Sequence, residues 1–121
     1  MDKAQVIHSF WASFGLPAYD ENTVPDNAEL PYITYEVATS SFGDGDVSLT
    51  ANLWYFGKSW ADISRKADEI SWAIGDGGVT LKTDTGYVWI KRRTPFAQRM
   101  SVTHEQIRRI LLGISAEYID F

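Results

Sequence analysis

The chain has 121 residues, 45% hydrophobic and 22% charged, with a net charge of −5, enough to bury one core and too little for a second domain of ordinary size. It contains no cysteine, which excludes disulfides, thiol nucleophiles and cysteine-ligated zinc or iron–sulfur centres together. The acidic balance argues against a dedicated duplex-binding module, which carries a basic surplus, while five Trp, six Tyr and six Phe against two His supply material for packing and contact more than for chemistry.

The opening residues, Met1 to His8, lack a basic segment followed by an apolar run, so no secretory signal is expected. No stretch approaches the apolar length of about 18 residues that spans a bilayer. The expectation is a soluble protein made in the cytoplasm, with no membrane partner. Ile7, Phe10, Trp11 and Phe14 recur at spacings of three and four, which predicts a helix over residues 3–14, stopped by Gly15 and Pro17. Residues 15–31 hold Pro17, Pro25 and Pro31 together with Asp20, Glu21, Asp26 and Glu29. They read as a long irregular connection, either functional and ordered by a partner or simply solvated.

Residues 31–41 are β-branched and aromatic and predict a strand, with Ile33, Tyr35 and Val37 on one face. The turn Phe42–Asp46 follows. A second strand from Val47 to Phe56 alternates Leu49, Ala51 and Leu53 against Ser48, Thr50 and Asn52, and the two form an antiparallel hairpin. Trp54 and Phe56 break this alternation by placing aromatics on the polar face. They mark a contact site or the place where a helix crosses the strand end.

Ser59 takes the N-cap position of the next helix, with Asp62 in its first turn, an Asp62–Lys66 pair along its side and Gly75 closing it. Trp60, Ile63, Ala67, Ile70 and Ile74 form its apolar stripe. Val79–Lys82 and Tyr87–Lys91 flank the hairpin signature Thr83-Asp-Thr-Gly86. The last element, Gln106 to Tyr118, reads as a strand, its residues Ile110, Leu112, Ile114 and Ala116 alternating with Arg109, Gly113, Ser115 and Glu117. The order is α-β-β-α-β-β-β. It predicts a single α+β domain over residues 1–121, two helices on one face of a mostly antiparallel sheet of about five strands.

No arrangement for chemistry stands out. His8 lies beside an apolar helical stripe and His104 in a turn, neither with a second ligand at metal spacing. Asp44-Gly45-Asp46 lacks the further oxygen ligands of a calcium loop. The glycines at 75, 77 and 78 follow a helix, whereas a phosphate cradle leads into one. No catalytic, metal-binding or cofactor-binding residue is therefore expected, although the abundant Ser, Asp and Glu leave a small hydrolase or transferase with a carboxylate pair open.

Lys91, Arg92, Arg93, Arg99, Arg108 and Arg109 gather more than half of the eleven basic residues into one window. Pro95 suits a bulge or a strand edge. Phe96 and Met100 lie among the arginines, a composition enriched in interfaces. Either this is an interface for an acidic partner or it is a solvated basic edge that blocks aggregation. A nucleic-acid-binding module built on Lys91–Arg93, with Trp89 and Phe96 as stacking groups, is the alternative.

Five runs, Pro31-Tyr-Ile-Thr-Tyr-Glu-Val37, Leu53-Trp-Tyr-Phe-Gly-Lys-Ser-Trp60, Lys66-Ala-Asp-Glu-Ile70, Thr94-Pro-Phe-Ala-Gln-Arg-Met100 and Arg108-Arg-Ile110 with Glu117-Tyr-Ile119, resemble the small minor structural proteins of long-tailed bacteriophages, the tail-terminator or head-to-tail joining proteins. The resemblance covers most of the chain after residue 17. It implies an α+β subunit of a homo-oligomeric ring, a hexamer, at the head–tail interface of a virion assembled in the host cytoplasm. The ring would cap the tail tube protein, dock to the head-side connector or adaptor, and pass DNA through its lumen without sequence readout. A ring needs two different patches on each subunit. The expected patches are Arg92, Arg93, Phe96, Arg99, Met100, Arg108 and Arg109 with Trp54 and Phe56 on one side, and Asp20, Glu21, Asp26 and Glu29 on the other.

Overall fold

Helix α1 (Lys3–Ala12) forms where the aromatic stripe meets a capping box. In the computed structural model, which describes residues 1–121, the Asp2 carboxylate accepts from the Gln5 amide at 2.8 Å and the Gln5 side chain accepts from the Asp2 amide at 2.9 Å. Val6, Ile7, Phe10 and Trp11 are buried by this helix, and Phe14 just beyond it is buried too.

The connection after α1 departs from expectation. Residues 18–20 form a short strand, β1 (Ala18–Asp20), which pairs in parallel with β2 (Tyr32–Tyr35). The rest of the segment loops back to make that parallel return, as parallel neighbours require. The order is therefore α-β-β-β-α-β-β-β, with one strand more than the sequence suggests. The strand expected over residues 31–41 is regular only from Tyr32 to Tyr35.

Strand β3 (Asp46–Phe56) pairs antiparallel with β2, completing the expected hairpin. Helix α2 (Ala61–Ile74) follows and buries Ile63, Ala67, Ile70 and Ile74, while Trp60 is half-buried against the same core. Its N-cap is Trp60, not Ser59. The Ser59 hydroxyl still accepts from the Ala61 amide at 3.1 Å, one position earlier than a regular cap. The expected Asp62–Lys66 pair is replaced by Asp62–Arg65 at 2.9 Å and Lys66–Glu69 at 3.1 Å. Lys66 also donates to the carbonyl of Phe14 at 2.8 Å, which draws it away from Asp62 and ties α2 to the end of α1.

Strands β4 (Val79–Lys82), β5 (Gly86–Met100) and β6 (Ile107–Asp120) complete a six-stranded mixed sheet of order β1-β2-β3-β6-β5-β4. Five strands, mostly antiparallel, were expected; the addition is the parallel β1. The centre is the long antiparallel triplet β3-β6-β5. Residues on alternate positions, Leu49, Ala51 and Leu53 on β3, Ile110, Leu112, Ile114, Ala116 and Tyr118 on β6, Val88 and Ile90 on β5, meet both helices in one continuous core. Each fully buried aliphatic side chain there contributes about 1.5–3 kcal/mol. The helices cover this one face, and the opposite face of the sheet carries Ser48, Thr50, Asn52, Trp54, Trp89, Lys91, Arg109 and Glu117.

The β5–β6 ladder is regular up to Arg92 opposite Ile114 and resumes at Ala97 opposite Leu112. Residues 93–96, including Pro95, thus arch out opposite the single residue Gly113. This is the bulge that Pro95 predicts.

Candidate interaction surface

Strand alternation splits the basic cluster between the two faces of the sheet. Arg92 and Arg99 lie on β5 opposite Ile114 and Ile110, and Arg108 lies on β6 opposite Tyr55, all on the helix-covered side. Lys91 and Arg109, opposite Ser115 and Trp54, lie on the uncovered side.

Several of these cations are engaged inside the subunit. Arg92 donates to the Ser71 hydroxyl at 2.8 Å and pairs with Asp76. Arg99 and Arg108 both lie over the ring of Trp60, their guanidinium carbons 4.8 and 5.3 Å from its centroid. Each such contact is worth about 0.5–1 kcal/mol at an exposed site. Arg108 also donates to the carbonyl of Lys58 at 2.9 Å and to that of Glu105 at 3.1 Å. Arg109 donates to the Asn52 side chain at 2.7 Å and lies over Trp54, whose indole N–H is bonded to Thr34 at 2.9 Å. Lys91 sits 4.2 Å above the Trp89 ring. Arg93 is exposed on the bulge and forms neither an ion pair nor a side-chain hydrogen bond within the subunit.

The apolar candidates divide in the same way. Phe56 ends β3 with 69% of its surface exposed. Trp54 is half-buried by its hydrogen bond and by Arg109. Phe96 is half-buried against the core, as the inward side of the bulge. Met100 lines a groove with Trp60, Arg99, Val102, Ile107 and Arg108.

The acidic candidates gather at the opposite edge of the sheet. Asp20 is the last residue of β1 and accepts from the Asn22 amide at 2.9 Å. Glu21, Asp26 and Glu29 are exposed on the loop that returns to β2. The structure thus separates the acidic and basic groups across the width of the sheet and brings neither set to the other within one subunit.

The sequence does not single out Trp72 as a contact residue, although it is highly exposed. Trp72, on the outward side of α2, is 85% exposed and lines a cleft with Ser71, Gly75, Asp76 and Arg92. The apolar stripe of α2 leaves position 72 on its outer face, so this position was readable from the period of the helix.

Neither histidine is set up as a ligand. His8 shares a 2.8 Å hydrogen bond with the Tyr35 hydroxyl, and His104 accepts from the Gln106 amide at 3.1 Å. No three His, Asp or Glu side chains converge as a metal cluster. Burial pushes the phenols of Tyr35, Tyr55 and Tyr118 up, and Asp20 adds to the shift at Tyr35. Hydrogen bonds from the Ser41 amide and the Ser40 hydroxyl hold Asp44 below the usual carboxylate range, and bonds from Lys3 and Thr85 do the same for Asp120.

No protein-family model matches the chain, and no curated protein matches it. Among solved structures, the fold is similar to a chain of the "Virion of native gene transfer agent (GTA) particle", with a TM-score of 0.54 and 23% sequence identity, over 88% of this chain and 81% of that one. At this level of identity the likeness establishes a shared fold.

Proposed function

We propose that the protein is a structural subunit of a phage-type virion, and within it a tail-terminator or head-to-tail joining subunit. The observation that carries this reading is the fold shared over most of both chains with a component of a virion particle. The five sequence runs that resemble the tail-terminator and head-to-tail joining proteins point the same way. In this role the subunits form a hexameric ring that caps the tail tube, meets the head-side connector and lets DNA through. A subunit of net charge −5 suits a passage that must not grip DNA, because every neutralised phosphate adds affinity.

The nucleic-acid alternative is weaker. Its basic edge is largely used internally: Arg92 is tied to Asp76 and Ser71, and Lys91 occupies a face of the Trp89 ring on which a base would stack. Electron micrographs of the purified protein, alone and mixed with tail tubes, test the proposal. Rings seated on tube ends are expected. Bare tube ends at saturating protein would refute it, and tight, salt-dependent DNA binding by the isolated protein would favour the alternative.

A further inference from the structure

We infer that the lower edge of β5 is a docking surface for a second copy of this chain, which presents its acidic β1 edge. The inference deepens the proposed ring and rests on that reading for its biological setting, although its argument is geometric.

Strand β4 pairs only with Tyr87–Ile90 of β5. Beyond it, Lys91–Arg92 and Ala97–Met100 pair with β6 on one side and have no strand on the other, with residues 93–96 arching between them. Such an edge offers backbone donors and acceptors to an incoming chain. Pro95 withholds one donor, and Arg93 and Arg99 stand exposed along the segment. At the helix layer beside it, Trp72 lines the cleft that reaches Arg92. An exposed Trp beside an arginine is the composition of an interface anchor.

The occupant follows from charge and topology. Two β5 edges meeting each other would oppose arginine to arginine, which disfavours a two-fold dimer through this edge. The β1 edge is also unpaired on its outer side, and it lies at the opposite end of the same sheet. It carries Asp20, with Glu21, Asp26 and Glu29 on the adjoining loop. A basic edge and an acidic edge at the two ends of one sheet make a heterologous contact, and such a contact repeats from subunit to subunit until it closes. The sheet would then continue across each boundary, with every helix on the same side of the belt.

Sedimentation velocity of the full chain over a concentration series, together with native mass spectrometry, tests this pairing. Arg93 has no partner within the subunit, so Arg93→Glu leaves the fold intact, as circular dichroism would check. We expect Arg93→Glu to weaken self-association about tenfold or more, and Glu21→Lys with Glu29→Lys to do the same. Joining the three changes in one chain should restore assembly. Trp72→Ala should weaken assembly at every salt concentration, whereas the charge-dependent part fades as salt rises. Oligomers unchanged by Arg93→Glu would overturn the inference, as would loss without rescue in the combined variant. A wild-type chain that stays monomeric throughout would overturn this contact, while capping of tail tubes is judged separately by the micrographs.

Discussion

At Gly86 an added Cβ would meet a backbone atom more closely than at any other glycine. It pairs with Asp120 at the start of the β5–β6 ladder, and its φ is not in the left-handed region. Its need for glycine is therefore a matter of space. A Cβ there would lie 1.9 Å from the carbonyl oxygen of Ile119 and 2.9 Å from its carbonyl carbon. Both atoms are backbone, so no side chain can swing away, and the strands must part by roughly 1 Å or more to reach ordinary contact. That movement strains the Phe121–Thr85 bond at 2.8 Å, the Thr83–Gly86 bond at 2.9 Å and the bond from the Gly86 amide to the Thr83 hydroxyl at 3.1 Å. Three hydrogen bonds at about 1 kcal/mol each, with about 1 kcal/mol of overpacking, give a loss of about 4 kcal/mol for Gly86→Ala. With a urea m-value of about 2 kcal/mol/M, the midpoint falls by roughly 2 M. Gly77→Ala is the control, since a Cβ there meets nothing within 4 Å and φ is again not left-handed. It should be neutral or slightly stabilising through the unfolded chain. Equal urea midpoints for the two variants would refute the steric argument.

Two further outcomes follow from ionisable groups. The Tyr118 hydroxyl donates to the carbonyl of Ala38 at 2.9 Å from a fully buried ring, so Tyr118→Phe should cost about 1 kcal/mol at neutral pH. Because burial raises its phenol above the unfolded value near 10, its contribution is complete below that pH. It is lost as pH climbs toward the folded value, while the unfolded chain ionises first. Alkaline unfolding should therefore be less steep in Tyr118→Phe, and an unchanged slope would count against the assignment. Asp120 works in the opposite sense. Lys3 and Thr85 hold its carboxyl low, so its contribution is present above the unfolded carboxylate pKa and vanishes as pH falls through the folded one. Asp120→Asn should be less stable than wild type at neutral pH, with the two stability curves converging in acid. A gap independent of pH would refute the role of this carboxylate.

Much of the layered architecture was legible because it is periodic. Ile63, Ala67, Ile70 and Ile74 announce α2, and the alternation along β3 and β6 gives two central strands. Strand β1 was hidden because it has three residues, lies between Pro17 and an acidic loop, and owes its existence to β2 at a distance. Residues this few carry no pattern of their own, and a parallel partner leaves no turn signature between the strands. The basic cluster was visible as composition only. Arg108 and Arg109 are adjacent in sequence, yet one is held over Trp60 and the other over Trp54 on the far side of the sheet. Which of these cations are spent internally depends on Trp60, Asp76 and Asn52, partners distant in sequence. Only Arg93, raised on the bulge, remains without one.

That bulge also changes the phase of its strand. Four residues opposite one insert three positions beyond a regular ladder, an odd number. Ahead of it the even-numbered residues Val88, Ile90 and Arg92 face the helices, and after it the odd-numbered Ala97 and Arg99 do. The arch therefore acts as a parity switch. Each paired side chain shares the face of its cross-strand partner, so Arg99 reaches Trp60 because it stands opposite Ile110. Carried straight on from Arg92, the ladder would set Arg99 opposite Ile107, on the uncovered face. The three extra residues of the arch are what bring an odd-numbered arginine over the indole.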